Sequence, residues 1–234
     1  MTYGITYSSG NMDISARKCI ESMKNNGVDY AYPSRFSEED DDIFKWMNEG
    51  ILKCGRGAGY WLWKPYFIYC DILQMPEDSY LIYSDAGVEF VGNVREIINR
   101  MDQDVFMFTN GWSHSEWCKG SVMDAILGYH PGQDVKQVQA SVIFFKVNQK
   151  TRDFVKEWLL WCQMPGFIDD SPSTTPNYPT FAEHRHDQAI LTCLAIKHGY
   201  NYNHWWPTQY SMHLPRTDNY PVLFNHHRKR DHEW

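Results

Sequence analysis

Closely spaced cysteines are missing from this chain of 234 residues: its six cysteines are scattered and form no Cys-x-x-Cys pair. Scattered thiols in a chain of this length predict reduced, mostly buried cysteines in a cytosol-like compartment, and they argue against a disulfide framework. No apolar stretch approaches the roughly 20 residues that a membrane-spanning helix needs. The opening residues, MTYGITYSSG, lack the basic and apolar regions of a signal peptide. We therefore expect a soluble protein that works in the cytoplasm.

Positive charge is also scarce. The formal net charge of −7 at pH 7 argues against a general nucleic-acid binder. The ten histidines form no His-Glu-x-x-His motif, so a zinc hydrolase is disfavoured. The run GRGAG at residues 55–59 is not a phosphate-binding glycine loop, because it follows a predicted helix instead of a strand. An acidic protein that handles a phosphorylated ligand needs local positive charge or a metal ion.

Aromatic residues, in contrast, are abundant. They make up 16% of the chain, with ten Trp and fifteen Tyr. Flat rings that a core does not need often line carbohydrate or nucleotide pockets. Packing within an aromatic-rich core is the alternative explanation, and it must account for many of these rings.

Predicted strands and helices alternate along the chain, which predicts an α/β fold with a mostly parallel, mixed central sheet flanked by helices. The Pro/Ser/Thr-rich segment 163–180 is predicted to be a loop near a site, so we expect residues 1–234 to form a single domain. The predicted strands are 3–7, 28–32, 80–84, 105–108, 140–147 and 222–224, and the predicted helices are 13–26, 37–52, 65–73, 94–101, 119–127, 150–162 and 187–198.

The strand YLIYS at residues 80–84 runs directly into Asp85-Ala86-Gly87. Open α/β sheets bind their ligands at the carboxyl ends of strands, and the Asp85 carboxylate stands at such an end. A carboxylate there can hold a divalent cation, while the following glycine lets the backbone approach a phosphate closely. A turn aspartate without a functional role is the alternative interpretation.

Several motifs together resemble a known family, the small glycosyltransferases with the nucleotide-diphospho-sugar (GT-A) fold. The similar segments, in order over roughly residues 1–230, are GRGAGYWLWKPYFI, YSDAG, EWCKG, QASVIFFKV, EWLLWC and HRHDQAI. Enzymes of this kind occur in bacteria and in large algal viruses, where one type glycosylates the capsid protein. The resemblance implies a GT-A-like transferase domain over residues 1–234, located in the host cytoplasm if the chain is viral.

In this family a short acidic motif after a central strand binds Mn²⁺ or Mg²⁺, which stabilises charge on the departing nucleoside diphosphate. The usual motif is Asp-x-Asp, but Gly87 occupies the second acidic position here, so Asp85 needs another partner. The resemblance implies that a histidine near the end of the chain, either His226 or His227, completes the metal site. Oxygen and imidazole ligands suit Mn²⁺. A solvated basic tail is the alternative interpretation of LFNHHRKRD.

The resemblance also implies a donor-binding set. Lys64 and Arg56 are candidates for the diphosphate or the sugar, and the rigid fork of Arg228 suits the diphosphate. The loop after the first strand lies at the nucleotide in this family. The full predicted set is Thr6, Tyr7, Ser8, Arg56, Lys64, Ser84, Asp85, Ala86, Gly87 and Arg228.

Asp187 and Gln188 are the predicted catalytic pair. In retaining enzymes of this family an Asp-Gln pair lies next to the reacting carbon of the transferred sugar. Asp187 would then contact sugar hydroxyls or act as a nucleophile or base, with His186 orienting it. In an inverting enzyme Asp187 or Glu183 could serve as the base. From the residues alone, Asp187 is an N-cap, and both roles can hold together.

The sequence therefore predicts a metal-dependent glycosyltransferase that moves a hexose or pentose from a UDP-sugar to a hydroxyl of a glycan or glycoprotein, with retention at the anomeric carbon. It predicts no nucleic-acid partner and no membrane span. The alternative is a non-catalytic carbohydrate-binding domain on a degenerate transferase scaffold. The missing second aspartate at Gly87 is the reason to consider it.

Overall fold

Strands and helices alternate along the chain and build a sheet covered on both faces. The structure is a computed structural model that describes residues 1–36, 42–209 and 220–234, with only the backbone of Asp42 described. Its strands are β1 (Thr2–Tyr7), β2 (Tyr30–Ser34), β3 (Tyr80–Ser84), β4 (Val88–Phe90), β5 (Val105–Ser113), β6 (Lys136–Lys146), β7 (Thr208–Gln209) and β8 (Phe224–His226). Its helices are α1 (Asp13–Asn25), α2 (Asp42–Met47), α3 (Glu49–Leu52), α4 (Gly57–Tyr60), α5 (Trp63–Gln74), α6 (Arg95–Ile98), α7 (His114–Trp117), α8 (Gly120–Leu127), α9 (Gln149–Cys162) and α10 (His186–Lys197).

The central sheet has five strands in the order β2-β1-β3-β6-β5. Strand β1 pairs in parallel with both β2 and β3. Strand β6 runs antiparallel to β3 and to β5, so four of the five strands point the same way. This topology confirms the predicted α/β fold with a mostly parallel, mixed central sheet. A second, smaller sheet has the order β4-β8-β7.

Apolar side chains cover both faces of the central sheet, because consecutive residues of a strand point to opposite sides. Leu81 and Tyr83 of β3 belong to one buried cluster, with residues of α5, α8, α9 and α10, whereas Ile82 belongs to the other, with residues of α1 and α6. Phe145 and Phe144 of β6 divide between the clusters in the same way. This burial on both faces accounts for the nearly continuous apolar runs of β3 and β6.

Among the strands that differ from their predicted bounds, β2 and β5 do so for identifiable reasons. Strand β2 starts at Tyr30 and continues through Pro33 to Ser34, although Pro33 was expected to close it. A proline is tolerated there because β2 lies at the edge of the sheet, where a strand needs hydrogen bonds on one side only. Strand β5 continues past residue 108 to Ser113, with irregular pairing to β6 that keeps its polar end in the sheet.

The helical segments also differ in places. The helix expected at 94–101 shortens to the single turn α6. The helix expected between residues 37 and 52 is represented by two short helices, α2 and α3, while its predicted start at 37–41 lies outside the described residues. The apolar residues of this segment predict one buried face of the helix, but Ile43 and Met47 are largely exposed, and Phe44 is the apolar residue of α2 that reaches the core. Within the described ranges, no helix is long and apolar enough to cross a bilayer.

Strand β8 brings the C-terminal segment back to the central strands. It begins two residues later than expected and pairs antiparallel with β4, so that His226 lies opposite Val88. Because Val88 comes just after the Asp85-Ala86-Gly87 turn, this pairing places the C-terminal histidines and arginines beside that turn. The small sheet therefore brings the C-terminal histidines close to Asp85, the other predicted ligand of the metal ion.

Candidate active site

A cleft of about 1030 Å³ opens at the carboxyl ends of β1 and β3. The loop after β1, the turn after β3, the start of β6, the start of α10 and the segment after β8 all contribute to its walls. Ligand sites of open α/β sheets are expected at this edge. The predicted site residues that line the cleft are Tyr7, Ser8, Lys64, Asp85, Ala86, Gly87, Asp187, Gln188, His226 and Arg228.

A buried lysine joins the two carboxylates of the cleft. The Lys64 Nζ lies 3.4 Å from Oδ1 of Asp85 and 2.9 Å from Oδ2 of Asp187, and it donates a hydrogen bond of 3.2 Å to the Ala140 carbonyl. Burial acts to lower the pKa of Lys64, but the Asp187 and Asp85 charges outweigh it and raise that pKa. Lys64 is therefore a charged ammonium at neutral pH. Its two carboxylate partners compensate the cost of burying that charge.

Asp85 presents one carboxylate oxygen to the cleft. The Tyr83 hydroxyl donates a hydrogen bond of 2.6 Å to Oδ1, the same oxygen that faces Lys64. Within the described part of the chain no donor contacts Oδ2, and the side chain is 27% exposed. The backbone N–H of Asp85 donates to the Ser141 carbonyl and fixes the turn against β6. Oδ2 is thus available to a ligand in the cleft.

Asp187 lies in the first turn of α10 and not at its N-cap, because the helix begins at His186 and Arg185 takes the cap position. Burial raises the pKa of Asp187 to about 6, although the nearby Lys64 acts to lower it. His186 is predicted to orient Asp187. Its Nδ1 instead donates a hydrogen bond of 2.7 Å to the Ile168 carbonyl. The residue that holds the Asp187 carboxylate in place is Lys64.

Gln188 is held by two hydrogen bonds to β6. Its Oε1 accepts from the Ala140 N–H at 3.1 Å, and its Nε2 donates to Oε1 of Gln137 at 2.7 Å. These bonds fix which way the amide group faces. The start of α10 is therefore attached to the start of β6 at the centre of the cleft.

The two C-terminal histidines occupy different environments. His226 lines the cleft and is buried, and burial together with the Arg228 charge lowers its pKa to about 3. Its Nε2 accepts a hydrogen bond of 3.2 Å from Nε of Arg228. His227 instead packs edge-on against Trp234, and its Nδ1 accepts from the Lys229 N–H. Of the two histidines predicted as metal ligands, only His226 borders the cleft.

Three other predicted residues lie away from the cleft walls. Thr6 and Ser84 are completely buried within the sheet, and Ser84 contacts the thiol of Cys19. Arg56 lies outside, where it is paired with Asp170 at 3.2 Å and with Glu183 at 3.1 Å. Its charge is therefore already compensated by two carboxylates.

The segment before Lys64 winds in the left-handed sense. The backbone angle φ is positive at five consecutive residues, with values of 58° at Gly57, 50° at Ala58, 95° at Gly59, 52° at Tyr60 and 62° at Trp61. Each non-glycine residue in this conformation costs about 1–2 kcal/mol. The Trp63 indole N–H donates to the Gly57 carbonyl across the turn at 2.9 Å. Strained backbone of this kind is concentrated at ligand sites, and this turn lines the cleft.

Other polar and aromatic side chains in the cleft are absent from the prediction. Gln137, Gln139 and Ser141 alternate along the start of β6, and their side chains share one face of the strand. This spacing of two within an apolar strand is a signal that sequence reasoning missed. No comparable signal marks the remaining cleft residues, which include Asn11, Asn110, Trp112, Trp117, Arg185 and Arg230.

Comparison with solved structures identifies the fold of the chain. No family model and no curated protein sequence matches the chain. Among solved structures, a glycosyltransferase involved in the glycosylation of the major capsid of PBCV-1 has a TM-score of 0.55 and 13% identity, covering 99% of this chain and 96% of that one. The chain has the GT-A fold. This finding confirms, at the level of the fold, the resemblance predicted from the sequence motifs.

Two further structures are similar at lower scores. Mouse xyloside xylosyltransferase 1 in its apo form has a TM-score of 0.49 and 10% identity, covering 97% of each chain. The bifunctional glycosyltransferase WbbM in its apo form has a TM-score of 0.49 and 12% identity, covering 88% of this chain and 39% of that one.

The donor set of this GT-A chain fits a divalent metal ion. Asp85 offers a carboxylate oxygen to the cleft, and His226 is a neutral imidazole at physiological pH, the form that can bind a metal. Hard oxygen plus imidazole nitrogen is a set that suits Mn²⁺. Lys64 beside Asp85 adds a fixed positive charge, so the site combines a metal-binding set with a cation already in place.

Proposed function

We propose that this chain is a Mn²⁺-dependent glycosyltransferase that transfers a sugar from a UDP-sugar to a hydroxyl of a glycan. The observation that carries the proposal is the arrangement of Asp85 and Asp187 on either side of buried Lys64, in a cleft at the strand ends. The GT-A fold supports the reaction class, whereas the nucleotide, the metal and the stereochemistry are inferred from the side chains. We place the enzyme in the cytoplasm as a single domain.

Asp85 and His226 would hold the metal ion. When bound, the ion supplies positive charge that stabilises the diphosphate leaving group. Arg228 borders the same part of the cleft, and its backbone N–H donates to the Gly87 carbonyl at 3.1 Å. Its guanidinium contributes a further positive charge of fixed position for phosphate oxygens.

Asp187 and Gln188 define the end of the cleft where the sugar would lie. Lys64 keeps Asp187 ionised at neutral pH and holds its carboxylate in one position. The two hydrogen bonds to β6 keep the Gln188 amide from rotating. Fixed acceptors and donors of this kind orient sugar hydroxyls and need no rearrangement as the bond breaks. We infer retention from this Asp-Gln arrangement.

The acceptor glycan would enter along the aromatic wall. Trp112 is 58% exposed and meets Trp117 edge to face, with ring centroids 5.8 Å apart. The Arg185 guanidinium lies over the Trp117 ring at 4.5 Å. A large ring that is exposed at a cleft can bury the flat face of a sugar. This wall carries no residue that we assign to the diphosphate.

The decisive experiment is a UDP-release assay with Mn²⁺ and a panel of UDP-sugars. We expect slow release of UDP with at least one donor and loss of release in Asp85→Asn. Asp153→Asn is the matched control, because Asp153 is an exposed carboxylate of α9 that lies outside the cleft. If no donor is turned over while glycans still bind, the protein is a carbohydrate-binding domain on a transferase scaffold and the proposal is wrong.

A further inference from the structure

Two cysteines and a histidine meet in the core, far apart in sequence and away from the cleft. His114 begins α7, Cys118 follows the end of that helix, and Cys193 lies in the middle of α10. All three side chains are completely buried. One ligand atom from each lies within 4.8 Å of the others. No residue of this cluster has a part in the proposed transfer reaction.

Two of the three distances within the cluster are close to the edges of a metal tetrahedron. Nε2 of His114 lies 3.3 Å from Sγ of Cys193, and the two sulfur atoms of Cys118 and Cys193 are 3.9 Å apart. Zinc bonds of about 2.3 Å to sulfur and about 2.0 Å to nitrogen give tetrahedral edges of about 3.8 Å between sulfurs and about 3.5 Å from nitrogen to sulfur. The cluster needs little movement to bind the ion.

Within the described residues, His114 lacks, on its second ring nitrogen, the hydrogen-bond acceptor that zinc-bound histidines usually have. Its Nδ1 is buried and makes no hydrogen bond to any other described residue. The imidazole is therefore oriented only from the Nε2 side, where the thiols are. A metal bond at Nε2 would supply the fixed orientation that no protein partner of Nδ1 provides.

We propose that His114, Cys118 and Cys193 form a structural Zn²⁺ site. Thiolate and imidazole ligands are the ones that zinc prefers. The ion enters as Zn²⁺ and the two thiols release their protons to solvent, so no oxidant or reductant is needed. The fourth position is left to water or to a main-chain oxygen, for which the Lys119 carbonyl, 3.6 Å from Cys118 Sγ, is the candidate.

The proposed zinc site would stabilise one wall of the cleft. A rise of about 1.5 Å per residue puts Cys193 about 9 Å along α10 from Asp187, so the ion is separate from the carboxylate that we assign to the sugar. The Trp117 carbonyl, between His114 and Cys118, accepts hydrogen bonds from Arg185 and Gln137, both of which line the cleft. Zinc would thus tie α7 to α10 behind these residues.

The test measures metal content of the intact chain, purified without chelators or added metal under reducing conditions. We expect about one zinc per chain, loss of most of it in Cys193→Ser, and a lower thermal midpoint after chelation that added Zn²⁺ restores. Substitution of Co²⁺ into the wild-type chain should give thiolate-to-cobalt charge-transfer absorption and strong tetrahedral visible bands. Because these readouts use the wild-type chain, they hold even if Cys193→Ser folds poorly.

Two controls separate this site from its alternatives. Cys162→Ser removes another buried thiol outside the cluster and should keep its zinc. Asp85→Asn should also keep its zinc while losing Mn²⁺-dependent UDP release, so failure of the proposed transferase activity leaves the zinc result interpretable. A wild-type chain that neither retains nor rebinds zinc, or that carries a Cys118–Cys193 disulfide without metal, would overturn the proposal.

Discussion

Lys64 and Asp187 form a buried ion pair of 2.9 Å at the centre of the cleft, with side chains only 4% and 5% exposed. Neither charge has bulk water to stabilise it, so each depends on the other. The second carboxylate, Asp85, is more exposed and lies slightly farther from the ammonium, at 3.4 Å. Asp187 is therefore the buried partner of Lys64, whereas Asp85 pairs with Lys64 and also faces the open cleft.

Removal of this lysine should affect folding as well as activity. We expect Lys64→Met to lower the free energy of unfolding by about 3–5 kcal/mol, because Asp187 is left buried without a counter-charge. The double variant Lys64→Met/Asp187→Leu should regain much of that stability while UDP release stays abolished. Urea denaturation and the UDP assay measure the two effects.

Lys53, an exposed lysine just after α3, provides the control for this experiment, since it pairs with Glu49 at the surface. Lys53→Met should leave stability and activity close to wild type. Equal losses in Lys53→Met and Lys64→Met would show that the buried ion pair has no special role.

The pH dependence of the reaction should follow Asp187. Because burial raises its pKa to about 6, UDP release should increase as pH rises through about 6 and Asp187 becomes ionised. His226, with a pKa of about 3, titrates well below this range. Asp187→Asn should therefore lose the acidic limb as well as most of the rate, whereas an unchanged limb in that variant would assign it to another group.

The same pKa predicts a trend in stability. A carboxyl group whose pKa is raised on folding keeps its proton up to a higher pH in the folded state than in the unfolded state. Its contribution to stability is therefore largest below the unfolded pKa of 3.8 and is lost as pH rises through about 6. Urea denaturation across this range should show that decline in the wild type and a smaller one in Asp187→Asn.

The adjacent histidines offer a matched pair for the metal site. His226→Ala removes a proposed ligand and should raise the Mn²⁺ concentration needed for half-maximal UDP release by at least the ~10–100-fold that loss of a ligand-orienting residue costs. His227→Ala should leave that concentration unchanged, because its ring packs on Trp234 outside the cleft. A larger effect in His227→Ala than in His226→Ala would reverse the assignment.

Introducing an aspartate at position 87 should not improve Mn²⁺ activation of UDP release. A Cβ atom at Gly87 would lie 3.0 Å from the Cα of Arg228, so Gly87→Asp forces the two backbone segments apart. We expect a loss of about 1–3 kcal/mol in unfolding free energy and weaker Mn²⁺ activation. Gly50→Ala, where an added Cβ meets nothing within 4 Å, serves as the control. Tighter Mn²⁺ binding by Gly87→Asp would contradict this.

The fold and the centre of the site follow from local sequence patterns. YLIYS predicts β3, and Asp85 follows it directly, so the position of that carboxylate needs no tertiary information. The choice between His226 and His227 does need it, because only the pairing of β8 with β4 decides which side chain faces the cleft. The predicted strand ends two residues before β8 does, so the sequence alone could not decide which histidine faces the cleft.

Contacts between distant segments account for the rest. Cys118 and Cys193 are 75 residues apart, so spacing along the chain hides their meeting in the core. The ion pairs that remove Arg56 from the cleft come from the loop before α10, which no periodic pattern describes. The left-handed turn includes Ala58, Tyr60 and Trp61, residues that disfavour this conformation on their own.

That left-handed turn requires a fixed number of residues between Gly55 and Lys64. A right-handed turn, or one residue more or fewer, would start α5 with a different side chain facing inward and would leave both carboxylates without their shared ammonium. Variation in this protein should therefore appear as changes of side chain within residues 55–64 and not as insertions or deletions.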